Sequence, residues 1–175
     1  MGPSREPGGP AALRPPAQPW PESFRVAGRG LRQVWRAERN FRVQCAAGWG
    51  VLGAAVLAGL TRPADAILAG LVGAVLGMET INSALEAAVD LWSPGRHPLA
   101  GAAKDLGAGA VLAVSLGALG AGAILFWPLE AVPAELWRGA VRDPLGAAVW
   151  LAGLAALGAL AAGRLSGRRR RGAPG

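Results

Sequence analysis

The chain has 175 residues, of which 52% are hydrophobic, and its mean hydropathy is +0.33. The apolar residues are massed in long runs, whereas a soluble domain would spread them in amphipathic stripes, so the composition predicts bilayer-spanning helices. The net charge of +7 could suit nucleic acid, but the arginines stand beside the apolar runs, where the positive-inside rule explains them. We therefore expect a membrane protein that binds no nucleic acid.

The N-terminal region divides into a leader and a surface helix. Residues 1–21 contain seven prolines, a composition that predicts disorder. From Glu22 to about Arg42, apolar residues recur at steps of three and four, opposite a stripe of arginines with the same period. An apolar face opposite an arginine face is typical of a helix that lies in the headgroup layer.

Four candidate spans follow, at about residues 43–60, 66–91, 106–127 and 145–163. A polar connection, residues 129–144, precedes the last span, and residues 164–175 form a basic tail. Eight arginines precede the first span and five follow the fourth, against one in the first connection, so both termini are expected in the cytoplasm. The predicted fold is an all-α, multi-pass helical bundle of the cell membrane, with an N-terminal amphipathic surface helix, three core transmembrane helices and a fourth C-terminal span.

The second span carries a line of polar groups. Glu79, Asn82, Glu86 and Asp90 are spaced by three, four and four residues, which places them on one face of a helix. An ionisable group near the bilayer centre costs about 2.5 to 3.5 kcal/mol on insertion scales, so such groups usually line a functional site. Carboxylates grouped in this way repel one another unless a cation is present, and Mg²⁺ prefers oxygen ligands that it shares with nucleotide phosphates.

Two other segments add polar groups on the same predicted side of the membrane. Glu38 precedes the first span and could meet the lower end of the acidic face. Lys104, followed by Asp105, is the single lysine among 18 basic residues, and a lysine offers a compact charge suited to phosphate oxygens. The loop between the second and third spans contains Arg96 and His97, to which we assign at most a binding role.

These residues resemble the prokaryotic diacylglycerol kinase and undecaprenol kinase family. The sequence ETINSALEAAVD, residues 79–90, matches the family signature, and ERNFR at residues 38–42 resembles its preceding motif. His97-Pro98-Leu99 and then Lys104-Asp105 continue the resemblance in order and spacing, which covers roughly residues 23–128. The resemblance implies a membrane lipid kinase domain at residues 22–128, and an ATP-dependent phosphorylation of the primary hydroxyl of undecaprenol or diacylglycerol at the cytoplasmic interface.

The resemblance also implies roles for individual residues. Glu79 would be the general base, Glu38 and Glu86 would hold Mg²⁺ against the ATP phosphates, and Asn82 and Asp90 would complete the polar wall. Further implied contacts with ATP are made by Gly95, Arg96, His97, Lys104 and Asp105, and the lipid is bordered by Arg32, Trp35 and Phe41. The family usually works as a homotrimer whose sites are shared between neighbouring subunits.

Two departures from the family and two alternative functions bear on this hypothesis. Pro19 and Val26 stand where one branch of the family has Arg and Tyr, so no ATP contact is carried over to them. The region after Pro128 lies outside the recognised core, and we expect its span only to anchor or pack. The main alternative is a small protein that relays protons or cations through Glu79, Glu86 and Asp90, and a scaffolding role ranks below it.

Overall fold

The protein is all-α, as the apolar runs predict. The computed structural model describes residues 19–95 and 97–169, with side chains described as far as residue 162. Within those residues there is no strand, and the α-helices are α1 (Trp20–Ala37), α2 (Arg39–Ala58), α3 (Arg62–Trp92), α4 (Pro98–Leu125), α5 (Val132–Arg142) and α6 (Pro144–Arg169). Most of the predicted leader, Arg96 and the last six residues of the basic tail lie outside the described residues.

Four of these helices, α2, α3, α4 and α6, are long and apolar enough to cross a membrane. The predicted membrane bundle is thereby confirmed. A hydrocarbon core about 30 Å thick needs about 20 helical residues, and α2 has 20. Because α3 has 31 residues and is about 46 Å long, roughly ten of its residues extend beyond the hydrocarbon.

The described residues divide into two units, with the boundary after residue 33. In the first unit, Glu22 lies in the first turn of α1 and pairs with Arg25 at 2.5 Å. A carboxylate at this position also interacts favourably with the positive end of the helix dipole. The apolar side chains of Phe24 and Leu31 are exposed, as a helix that lies on a membrane surface requires.

The second unit begins at Val34, and within it the chain turns at Glu38, between the last turn of α1 and the start of α2. The backbone of Glu38 is extended, with φ −97° and ψ 121°, and the predicted surface helix therefore ends at Ala37, before its expected limit at about Arg42. Arg42 is buried, and its Nη1 donates to the carbonyl oxygens of Trp35 at 2.9 Å and Glu38 at 3.0 Å. The carbonyl of Trp35, in the last turn of α1, has no partner within that helix, and Arg42 supplies one while also bonding the residue that precedes α2. Arg42 therefore fixes the corner.

Short connections make α2, α3 and α4 antiparallel neighbours. After α2, Gly59 adopts φ 72°, a left-handed conformation that glycine accepts without strain, and its N–H donates to the carbonyl of Val56 at 3.1 Å. Residues 93–97 join α3 to α4. The beginning of α2, the end of α3 and the beginning of α4 therefore lie on the same side of the membrane.

The connection predicted between the third and fourth spans is largely helical. A 3-10 turn, Leu129–Ala131, leads into α5, and the proline near the start of α5 is compatible with the first turn of a helix. Gly139 is buried so close to the carbonyl group of Leu57 that a Cβ at this position would overlap it. The segment therefore packs on the end of α2.

Two tryptophans join α6 to α2 in a reciprocal arrangement. Trp49 Nε1 donates to the carbonyl of Trp150 at 3.0 Å, and Trp150 Nε1 donates to the carbonyl of Gly50 at 3.2 Å. Each indole also lies over a glycine of the other helix, Gly153 under Trp49 and Gly53 under Trp150. Since an indole N–H in an apolar setting needs an acceptor, these contacts fix the register of the two helices.

A substitution at Gly153 should separate α6 from α2. A Cβ on Gly153 would lie 2.6 Å from ring atoms of Trp49, whereas one on Gly158 would meet nothing within 4 Å. We expect Gly153→Leu to destabilise the protein by about 1 to 3 kcal/mol through overpacking, and Gly158→Leu to have little effect. Thermal unfolding in detergent micelles measures the difference, and equal midpoints for the two variants would contradict the packing.

Candidate functional site

The predicted acidic face is present on one continuous helix, in the second half of α3. Glu79 stands 17 residues after Arg62, which places it about 26 Å along α3, near the far edge of a hydrocarbon core about 30 Å thick. Its residue surface is only 4% exposed, whereas Asp90, three turns further along, is exposed. The face therefore runs from a buried carboxylate outwards into the headgroup layer.

Gln44 of α2 is the hydrogen-bond partner of the buried carboxylate. Its Nε2 donates to Glu79 Oε2 across 3.4 Å, a long bond between two neighbouring helices. A buried charge is costly unless it is hydrogen-bonded, so the amide stabilises the carboxylate where it lies. Gln44 was not predicted from the sequence, although an amide six residues after Glu38 within an apolar run is a signal that could have identified it.

Two other carboxylates lie within electrostatic range of Glu79. Those of Glu38 and Glu86 are both close enough to interact with it electrostatically, and like charges repel. Asn82 Nδ2 donates to Glu86 Oε1 at 2.9 Å, which leaves Asn82 Oδ1 buried and without a partner among the described residues. The geometry thus groups oxygen atoms from the ends of two helices.

The close approach of α4 shapes this group. At Gly107, a Cβ would overlap Asn82 Oδ1 and would lie 3.0 Å from Leu85. Because glycine has no side chain, α4 can lie directly against the amide of Asn82 at this position. Gly107 was not predicted from the sequence, because a close approach between two helices leaves no periodic pattern in the residues of either one.

Lys104 of α4 and Asp90 of α3 form an ion pair at 2.5 Å. Their side chains are 35% and 65% exposed, respectively. A partly exposed pair of this kind contributes little to stability, so the lysine can exchange its partner for another anion at low cost. The lysine that stood out by composition thus lies at the outer end of the acidic face.

The remaining predicted site residues differ in exposure and in their contacts. His97 caps the start of α4 by accepting from the N–H of Leu99 at 3.2 Å, Gly95 lies in an exposed bend, and Asp105 is exposed. Phe41 is buried and meets the half-buried Trp35 edge-on, with ring centroids 6.5 Å apart. The exposed Arg32 belongs to the first unit, and Arg96 lies outside the described residues.

The oxygen atoms of Glu38, Glu86 and Asn82 are possible ligands for Mg²⁺. Within the described part of the chain, no three His, Cys, Asp or Glu side chains form a group that could enclose a metal ion. Mg²⁺ nevertheless needs only one or two carboxylates when phosphates and water complete its shell, and Glu38 and Glu86 can supply them. The unpartnered oxygen of Asn82 adds to an all-oxygen environment, so the residues fit the ion as a shared, incomplete site.

Comparison with known proteins decides the family. Residues 25–126 match the family described as prokaryotic diacylglycerol kinase. The chain belongs to this family. Membership confirms the predicted class of enzyme, a lipid kinase. The matched region includes α2, α3, α4 and the polar residues of the candidate site.

Individual relatives carry two different lipid names. An undecaprenol kinase of Bacillus subtilis is 39% identical over 107 residues, which cover 61% of this chain and 87% of that protein. A diacylglycerol kinase of Synechocystis is 40% identical over 107 residues, which cover 61% of this chain and 61% of that protein. A diacylglycerol kinase of Escherichia coli is 38% identical over 105 residues, which cover 57% of this chain and 81% of that protein. Since the identities are nearly equal, they do not separate the two lipids.

The approach of α4 to Asn82 yields a matched pair of variants. Gly107→Ala should displace the amide of Asn82 from Glu86, whereas Gly109 has open space around it and Gly109→Ala should be tolerated. We expect Gly107→Ala to lower the rate of lipid phosphorylation on the order of tenfold, because small displacements of catalytic groups are costly. Phosphate transfer from labelled ATP in a membrane fraction measures the rates, and equal rates for the two variants would refute the role given to Gly107.

Proposed function

We propose that this lipid kinase transfers the γ-phosphoryl group of MgATP to the primary hydroxyl of undecaprenol or diacylglycerol at the cytoplasmic face of the membrane. One observation carries the proposal: a buried carboxylate, Glu79, lies near the edge of the hydrocarbon beside two further carboxylates. A lipid hydroxyl lies at the same depth, between apolar tails and water. The two groups can therefore meet without either leaving its preferred environment.

Glu79 acts as the general base in this proposal. It accepts the proton of the lipid hydroxyl while the hydroxyl oxygen forms a bond to the γ-phosphorus and the bond from that phosphorus to ADP breaks. Phosphoryl transfer depends on in-line placement and charge stabilisation, and the hydrogen bond from Gln44 Nε2 supports the placement of the base. The short distance of Glu79 from the membrane surface supports access for an alcohol that cannot leave the bilayer.

Glu38 and Glu86 hold the metal in this proposal. When bound, Mg²⁺ neutralises charge on the ATP phosphates during transfer. The amide of Asn82 orients the Glu86 carboxylate through its hydrogen bond, and the corner fixed by Arg42 positions the backbone of Glu38. The two metal-binding residues are thus positioned by different contacts, Glu86 by a side-chain hydrogen bond on α3 and Glu38 by a backbone hydrogen bond at the turn before α2.

Lys104 contacts the ATP phosphates, with Asp90 as its partner in the absence of nucleotide. The partial exposure of both side chains supports such an exchange. Gly95, Arg96, His97 and Asp105 complete the nucleotide site in the proposal, and Arg32, Trp35 and Phe41 border the lipid.

The arrangement in the cell follows from the charge pattern. We infer a position in the cytoplasmic membrane with both termini in the cytoplasm, because arginines flank the first and last spans. Assembly as a homotrimer with shared sites would complete the metal shell that the described residues of one chain leave open.

The distribution of charge argues against the relay hypothesis. A relay requires ionisable groups through the whole depth of the bilayer. Asp65 and Glu79 are 14 residues apart on α3, about 21 Å, with no ionisable residue between them. The twenty residues of α4 after Asp105 contain none either, so over this half of the membrane α3 and α4 offer no ionisable group to a relay.

Glu79→Gln tests the general base. The change keeps the shape of the side chain but removes its ability to accept a proton, and we expect phosphorylation to fall by about 10² to 10⁴-fold. Glu130→Gln, the same change in an exposed residue outside the family match, is the control. Transfer of labelled phosphate from MgATP to extracted undecaprenol and diacylglycerol, run side by side, measures the loss and identifies the preferred lipid. A variant as fast as the parent would remove Glu79 from the mechanism.

Glu86→Gln tests the metal site. Loss of one carboxylate should raise the Mg²⁺ concentration required for half-maximal activity by roughly tenfold, the lower end of the losses seen when a metal site loses a supporting group. Removal of divalent cations with a chelator should stop the reaction, and added Mg²⁺ should restore it. If parent and Glu86→Gln respond identically to a magnesium titration, Glu86 does not hold the ion.

A further inference from the structure

An apolar groove of about 710 Å³ lies between α2, α3 and α4. Its lining is almost entirely hydrocarbon, with Gln44 and Ser115 as the polar residues along it. Gln44 is also the residue whose amide donates to Glu79. The groove therefore reaches the hydrogen-bond partner of the carboxylate that the proposed function assigns as the base.

The groove has a definite depth. Along α3 its lining continues to Leu68, eleven residues from Glu79, a distance of about 16 Å. At this end it is lined by Leu129, Val132 and Pro133, from the 3-10 turn and the start of α5. These three residues follow the region of the family match, which ends at residue 126. The end of the groove is thus built by a part of the chain outside the family core.

We propose that the groove holds a hydrocarbon tail of the lipid substrate, and that Leu129, Val132 and Pro133 form a floor that sets the preferred tail length. The inference rests on the proposed function, because it takes Glu79 as the place where the lipid hydroxyl reacts. This inference gives residues 129–144, which the sequence predicted to be only a connection between spans, a role in selecting the length of the lipid tail.

The depth of the groove favours a lipid tail over a helix of a second copy. A spanning helix must cross a hydrocarbon core of about 30 Å, but the path from Glu79 to the end of the groove at Leu68 is only about 16 Å along α3. One leaflet is about half of that core, and an extended alkyl chain advances about 1.25 Å per carbon, as its bond lengths and angles require. A tail of roughly 13 carbons therefore reaches from the acidic site to Val132, and longer tails must leave the groove sideways.

Val132→Trp tests the floor by filling the end of the groove. The assay compares kcat/KM for a series of saturated diacylglycerols from dioctanoyl to distearoyl in mixed micelles, and for prenols of increasing length. We expect the variant to lose on the order of tenfold for long tails, because two or three methylene groups leave their apolar contacts. The dioctanoyl substrate should stay within about twofold of the parent, since its tail does not reach the floor.

Two further variants make the test specific. Val141→Trp adds the same ring to an exposed position of α5 that does not line the groove, and it should leave the chain-length profile unchanged. Val132→Ala lengthens the groove and should move the optimum towards longer tails by about two carbons.

The outcomes separate the two proposals. A parent protein that phosphorylates no lipid alcohol would refute the proposed function. An active parent whose chain-length profile is the same in Val132→Trp and Val132→Ala would refute the floor alone. An equal loss for every tail length, accompanied by a change in oligomeric state, would show that a second copy fills the groove and would also overturn the inference.

Discussion

The burial of a carboxylate at the edge of the hydrocarbon is the constraint on which the arrangement of the helices depends. Within a bilayer the backbone N–H and C=O groups form their hydrogen bonds inside each helix. Polar side chains must therefore find their partners on neighbouring helices. Glu79 receives its donor from α2 through Gln44, and the amide of Asn82 is accommodated by the missing side chain of Gly107 on α4. One polar face on α3 therefore determines how closely two other helices can approach it.

The fold was largely predictable because its main elements are local in sequence. The lengths of the apolar runs predicted four membrane-spanning helices, and the structure has four among its described residues. The corner at Glu38 was not predictable, since the helical period continues through it and only the buried contacts of Arg42 end α1 there. The helix α5 was missed because the charges of residues 129–144 suggested a solvated connection, although Pro133 near its first turn was a usable signal.

The candidate site was predictable to the extent that it lies on one helix. The spacing of Glu79, Asn82, Glu86 and Asp90 placed them on a common face, and α3 carries all four without interruption. Contacts between helices have no such periodic signature. Composition singled out Lys104, but its pairing with Asp90 and the hydrogen bond from Gln44 became visible only when the helices were placed side by side.

The fourth membrane helix has a consequence for self-association. Because the reciprocal tryptophans hold α6 against α2, one side of α2 is already covered within the chain. Symmetric oligomers are built from matching surfaces that are free in each copy, so this side cannot contribute to such an interface. An alternative surface lies on α4, where the leucines at positions 112 and 116 are exposed and do not line the groove. A ring of subunits that associates through this surface of α4 would place α6 on its periphery, because α6 packs on α2 and α5 and, among the described residues, not on α4.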